Sequence, residues 1–298
     1  MTDTRRDRWE AAYSARAREH WTPERTAALA DGKRLAILPG EAPALLRALG
    51  LLDGDGALPP DRARKFFQIN HLVRLIELPM TALHAAHATV RVVDAGCGRS
   101  YLTLLLAHVA KQRGVGIDVL GIDRNPALIE ECRRRTALAE LDDVVRFEAR
   151  PVDDPGELGE VHAVVALHAC DTATCDSIAL GVAANASVIA VAPCCQAELA
   201  RSWSELEHTT GGFAPVWRAP HLRREIAAHI TDAMRMTLLR AAGYRVSVAE
   251  LASEHTKKNT LLRAERDDVD RDAARAEYAE LVATTGGRGL HLANRLLR

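Results

Sequence analysis

The chain has 298 residues, with 48% hydrophobic and only 4% aromatic residues, and a formal net charge of −1. That is enough apolar material for one large α/β domain with a helical extension. The near-neutral charge excludes a global basic field of the kind that binds nucleic acid without specificity, though not a local basic patch. The cysteines, at 97, 132, 170, 175, 194 and 195, lack the spaced frame of a secreted disulfide scaffold. The charged start (Arg5, Arg6, Asp7, Arg8) precedes no apolar run, so neither a signal peptide nor a membrane span is expected, and a reducing cytoplasm is the expected setting.

Residues 1–60 read as an irregular helical extension, closed by the Asp53-Gly-Asp-Gly turn and Pro59-Pro60. A helix is predicted over 61–78, from Phe66, Ile69, Leu72, Val73 and Ile76 at helical spacing, with Pro79 as its stop. Strands and helices then alternate: strand 89–93, helix 100–112, strand 117–122, helix 126–139 capped by Asn125, strands 144–149 and 161–167, helix 171–184 and strand 187–192. Repeated βαβ units imply a parallel, doubly wound sheet. A polar connection follows over 196–220, then a helix over 223–242 ended by Gly243. Strands at 244–251 and 260–264 are joined by a connection too short for a crossover helix, so they should run antiparallel. The chain shows no internal repeat. The domains expected are a helical extension, 1–60, and an α/β domain, 61–298.

The sharpest local signal is Asp94-Ala-Gly-Cys-Gly98, which ends a strand and opens a helix. Glycines there let the backbone turn sharply and approach a ligand. The helix start presents free N–H groups and a positive dipole end that suit a carboxylate, such as that of a methionine moiety. Asp123 ends the next strand, where its carboxylate can accept both hydroxyls of an adenosine ribose. Asp153, past the third strand, is placed for the adenine edge. The rival nicotinamide or flavin fingerprint wants Gly-x-Gly-x-x-Gly, which Tyr101 breaks. Position 100 is Ser where a third glycine would be usual, and Ser is expected to cap the helix instead.

Two further strand ends face the same edge of the sheet. One carries Leu167-His-Ala-Cys-Asp171, the other Pro193-Cys-Cys-Gln196. The carboxyl ends of strands line the ligand crevice in such sheets. His168, Cys170, Asp171, Cys194 and Cys195 are therefore expected beside the reacting group. Four roles are open: proton handling by His168, covalent catalysis by a cysteine, a zinc site of His168, Cys170, Cys194 and Cys195, or cysteines acting as small buried hydrophobes. In the 196–224 segment, Trp203, Phe213, Trp217, Arg218, His221, Arg223 and Arg224 form either an aromatic and basic surface for bases and phosphates or a satellite core.

The glycine loop, Asp123 and the parallel-then-antiparallel strand order resemble class I S-adenosylmethionine-dependent methyltransferases. The fold implied is α/β, Rossmann-like, with a mostly parallel seven-stranded sheet ending in an antiparallel hairpin. His-x-Cys-Asp-x-Ala-Thr with Pro-Cys-Cys-Gln is similar to the family that includes the tRNA acceptor-stem 2′-O-methyltransferase and relatives with glutathione-transferase-like extensions. Lys65-Phe-Phe-Gln-Ile69 and Glu254-His-Thr-Lys-Lys-Asn259 are similar to it too, so the resemblance spans about residues 61–265. It implies S-adenosylmethionine held by Asp94, Gly96, Gly98, Asp123, Asp153 and His168. It places His168, Cys194 and Cys195 at the methyl acceptor. Lys65, Gln68, Trp217, Arg218 and Asn259 become candidate substrate contacts. RNA is the expected acceptor, a small molecule the alternative, and a non-catalytic cofactor-binding scaffold the third reading. No resident metal is expected.

Overall fold

The computed structural model describes residues 4–154, 156–167, 169, 171–193, 196–250 and 260–297, with the backbone alone for 4–7. Helices α1 (Thr4–His20), α2 (Pro23–Ala30) and α3 (Pro43–Ala48) precede α4 (Pro60–Ala86). The alternating region follows: β1 (Thr89–Ala95), α5 (Tyr101–Gln112), β2 (Gly116–Asp123), α6 (Pro126–Leu138), β3 (Val145–Ala149), β4 (Ala163–Ala166), α7 (Thr172–Ala183) and β5 (Val188–Val191). Then come α8 (Glu198–Ser204), α9 (Ala214–Arg218), α10 (Pro220–Ala241), β6 (Tyr244–Glu250), β7 (Thr260–Arg266), α11 (Arg271–Thr284) and α12 (Ala293–Leu296).

The seven strands form one sheet in the order β3-β2-β1-β4-β5-β7-β6. Strands β1 to β5 pair in parallel, and β7 runs antiparallel to both β5 and β6. The α/β fold with its antiparallel end is therefore as the sequence implied. Strand alternation divides the core into two faces. Val90, Val92, Ala163, Val165, Val188 and Ala190 pack on one side. Val93, Ala95, Val164, Ala166, Ile189 and Val191 pack on the other. The first face lies under α4, α5 and α6, and the second under α7 and α10. With both faces covered, β4 and β5 are buried throughout, which explains their unbroken apolar sequences.

The helical extension shares the first core. Ile37, Leu45, Leu46, Leu49, Leu51 and Leu52 join one buried cluster with Leu102, Leu105 and Leu106 of α5. Buried Asn70 of α4 ties the two: its Oδ1 accepts from Ile37 N at 2.8 Å and its Nδ2 donates to Phe66 O at 3.1 Å. The Asp53-Gly-Asp-Gly turn seats on α1. A Cβ on Gly56 would lie 2.7 Å from Ala17 Cα, so only glycine permits that approach.

Two local expectations are corrected. Pro79 does not end α4, which runs on to Ala86 with the proline inside. A proline removes the hydrogen bond to the carbonyl four residues back. Here that carbonyl, Leu75 O, accepts instead from Arg263 Nη1 of β7 at 3.2 Å. The freed acceptor is satisfied across the fold, so the helix continues. Likewise, Ser100 makes no side-chain cap on α5. It sits at φ +59°, in the left-handed region, which is the reason a glycine is usual there.

Candidate active site

The donor side of the site is built from backbone. Gly96 and Gly98 have φ of +72° and +54°, and with Ser100 they reverse the chain between β1 and α5. Gly96 N and Cys97 N both donate to Ile122 O of β2, at 2.8 and 3.0 Å, which clips the loop to the neighbouring strand. Asp123, half-buried at the end of β2, completes the clip: its Oδ2 accepts from Gly98 N at 3.2 Å and its Oδ1 from Asn125 N at 2.9 Å. Arg150 N donates to Asp123 O at 3.0 Å and brings the end of β3 alongside. Asp153 lies exposed in the turn just beyond.

Asp94 lies beneath the loop, only 2% exposed, and its Oδ2 accepts from Thr103 Oγ1 at 2.5 Å. Burial pushes its carboxyl up to about 7, against the opposing pull of the Thr103 hydrogen bond. Its place is that of an internal brace between β1 and α5. Cys97, within the loop, and Cys132, whose Sγ donates to Gly98 O at 3.2 Å, are also buried there.

Lys65 and Gln68 of α4 come to the start of α5. Lys65 Nζ lies 4.7 Å from the centre of the Tyr101 ring and 3.3 Å from Gln68 Oε1. Burial lowers the pKa of this ammonium group. His71, one and a half turns along α4, stands 3.3 Å from Glu250 O, where the connection between β6 and β7 begins.

The acceptor side is built from buried side chains. His168, Cys170, Cys194, Cys195 and Asn259 lie outside the described residues, as does the connection 251–259. The residues that flank the first four are ordered by a polar network. Asp171 adopts φ +52°, ψ −114°, a strained conformation for a residue with a Cβ. Its Oδ1 accepts from Ala197 N at 2.8 Å and Glu198 N at 3.0 Å, and its Oδ2 from Arg201 Nη2 at 2.7 Å. Burial works to raise this carboxyl, but Arg201 and the two N–H donors outweigh it and hold it below the usual carboxylate range. With both oxygens engaged, Asp171 is a fastening rather than a proton acceptor.

No motif singles out Arg235 and Asp232. Arg235, on α10, is fully buried and bridges to Asp232 Oδ1 at 3.0 Å. Its Nη2 donates to Asp171 O at 2.8 Å, and Gln196 Nε2 donates to Asp232 Oδ2 at 2.8 Å. A usable signal existed: Arg235 falls on the apolar stripe of Ala227, Thr231, Met234 and Leu238, where a cation needs a buried partner.

Trp203 and Trp217 are buried, and Phe213 packs edge-on to Trp203 and tilted against Trp217, with ring centres 5.7 and 6.4 Å away. The segment is thus a satellite core, not a stacking surface. Arg218 stays exposed and donates to Glu207 O and Thr209 O, both at 3.2 Å, which braces the loop beside that core.

One cluster has a metal-ligand composition: Cys175, Glu198 and His291 bring ligand atoms within 4.8 Å of one another. Its chemistry suits a structural role better. Arg235 donates to Cys175 Sγ from Nε and Nη2, each at 3.4 Å. Burial pushes that thiol up to about 11, with Arg235 offsetting only part of the effect. Glu198 accepts from His291 N at 2.6 Å. A cation would meet a neighbouring guanidinium and a protonated thiol.

Residues 64–202 match a family model described as a methyltransferase domain. This part of the chain is similar to a methyltransferase domain. The match runs from within α4 into α8 and includes the glycine loop, Asp123, Asp171 and Gln196. No curated protein matches the chain. Among solved structures it is similar to the S-adenosylhomocysteine-bound Podospora anserina methyltransferase PaMTH1, at 12% identity and TM-score 0.44, over 81% of this chain and 93% of that one. It is also similar to cofactor-bound Rv0187 from MTB, at 15% identity and TM-score 0.45, over 83% of this chain and 99% of that one. The methyl donor to test against these residues is S-adenosylmethionine. The residues present fit it. Asp123 retains acceptor capacity on both oxygens for a pair of hydroxyls. The first turn of α5 holds no acidic residue that would repel a carboxylate. Among the described residues, no helix is long and apolar enough to cross a membrane.

Proposed function

We propose that the chain methylates RNA, a tRNA or rRNA, at the edge of the sheet where β1, β2, β4 and β5 end. The carrying observation is convergence. The Gly98–Asp123 clip, which suits the donor, and the Asp171 and Gln196 corners, which flank the expected acceptor residues, belong to adjacent strands of one sheet edge. S-adenosylmethionine supplies a sulfonium methyl group for displacement by an acceptor atom. Asp123 accepts ribose hydroxyls, Gly96, Gly98 and the start of α5 receive the methionine end, Asp153 borders the adenine, and Asp94 keeps the loop in shape. His168 borders both donor and acceptor and takes the acceptor's proton, while Cys194 and Cys195 shape the pocket. Lys65, Gln68 and Asn259 contact the substrate. The work of such a site is alignment with electrostatic support. RNA as acceptor is supported by the His-x-Cys-Asp and Pro-Cys-Cys-Gln resemblance to the tRNA 2′-O-methyltransferase family.

A small-molecule acceptor is the second reading. The burial of Trp203 and Trp217 favours it, because it removes the aromatic surface on which bases would stack. Transfer of tritiated methyl from S-adenosylmethionine to total RNA or to a metabolite extract separates the two. Label in RNA is expected. Label confined to the metabolite fraction would replace the proposal with the second reading.

A further inference from the structure

The ion pair on α10 is placed where an apolar pair would pack as well. Taking Arg235 and Asp232 out of water is costly, and a hydrophobic pair of similar volume often serves stability equally. The pair is distinguished by its partners. Arg235 Nη2 holds the carbonyl of Asp171, at the corner that follows β4. Asp232 Oδ2 holds the side-chain amide of Gln196, at the corner that follows β5. Arg235 Nη1 joins the two halves through Asp232 Oδ1. A third tie closes the ring, because the Asp171 carboxylate accepts from Ala197 N and Glu198 N, just past Gln196. Two corners on separate strands are thus fixed to each other through one helix. One of them, Asp171, is held in a backbone conformation it would not choose.

We infer that Arg235 and Asp232 are positioning residues that set the corner at Asp171 against the corner at Gln196, and so align the acceptor with the donor. The inference rests on the proposed methyltransfer at this edge. The pair touches neither the glycine loop nor Asp123, which supply most of the proposed donor contacts, so donor binding should change little when it is removed. A rigid, fully satisfied polar network of this kind specifies one relative placement of the corners, which an apolar pair does not.

The test is the double variant Arg235→Met with Asp232→Leu, which nearly keeps the volume and removes the ties that run through α10 without leaving a charge unpaired, while the Asp171 bonds to Ala197 N and Glu198 N remain. Three quantities are measured on the full chain: S-adenosylmethionine affinity by calorimetry, the rate of tritiated methyl transfer to total RNA, and amide hydrogen exchange. The expected result is donor affinity within twofold of wild type and transfer at least tenfold slower. Exchange should be at least tenfold faster at residues 169–173 and 194–198, and unchanged at 96–102. Gln196→Met cuts the β5 tie alone and should raise exchange at 194–198 only, which keeps the inference testable if the double variant folds poorly. Wild-type exchange at both corners would overturn it, as would a parallel loss of donor affinity and transfer. If wild-type protein methylates nothing in RNA, the functional proposal fails, and the exchange data still decide whether the pair positions the corners.

Discussion

The two halves of the site are held by different forces. On the donor side, Gly96, Cys97 and Gly98 donate backbone N–H groups to Ile122 O and Asp123, and the strands in register do the rest. On the acceptor side, the corners after β4 and β5 depend on side chains of α10, with Arg235 reaching 64 residues back to Asp171 and Asp232 reaching 36 back to Gln196. A backbone-built loop is local, and a few glycines with an acidic residue on the next strand announce it. A site held by buried ions is non-local, and nothing near its own motifs reveals it. The donor half should therefore tolerate side-chain change away from the loop, whereas the acceptor half should be fragile at a single remote position.

The largest effect expected of a single substitution follows from that fragility. Arg235→Met leaves Asp232 buried without its cation, and a broken buried pair costs about 3–5 kcal/mol. Urea unfolding should show this loss, and the Arg235→Met, Asp232→Leu double variant should recover most of it. If the single variant lost under about 1 kcal/mol, the acceptor half would not depend on a buried charge pair. A smaller effect is expected beneath the donor loop. The folded-state pKa of Asp94 is raised to about 7, above its unfolded value near 4. The folded state therefore holds the extra proton, and the stability this confers is present below about pH 4 and is lost as pH rises through about 7. Melting temperature should fall between pH 5 and 8 in wild type and fall less in Asp94→Asn. An identical slope in both would remove Asp94 as the titrating brace.

Much of the fold was legible because its signals are periodic. Apolar β4 and β5, the Asn125 cap, whose Oδ1 accepts from Ala127 N at 3.1 Å, and the short β6–β7 connection point to the elements and to the antiparallel final pair. Failures came where a distant group changed the local outcome. Pro79 was read as a stop because Arg263, 188 residues from Leu75, cannot be seen from within the helix. Ser100 was read as a cap by its side chain, when the turn demanded a positive φ. Trp217 looks like a nucleic-acid contact in sequence, but it packs inward with Phe213 and Trp203, while Arg218 beside it stays exposed. At the site, Asp123 and the glycines could be placed from sequence alone, whereas Arg235 and Asp232 could not, since their role exists only once α10 lies across two strand ends.

The account rests most directly on Asp123 and the glycine loop forming the donor site. Titration calorimetry with S-adenosylmethionine tests it. Wild-type protein should bind, and Asp123→Ala, which removes charge-assisted hydrogen bonds of about 1.5–3 kcal/mol, should bind roughly 10- to 100-fold more weakly with its melting temperature little changed. Equal affinity in the two proteins would contradict the assignment.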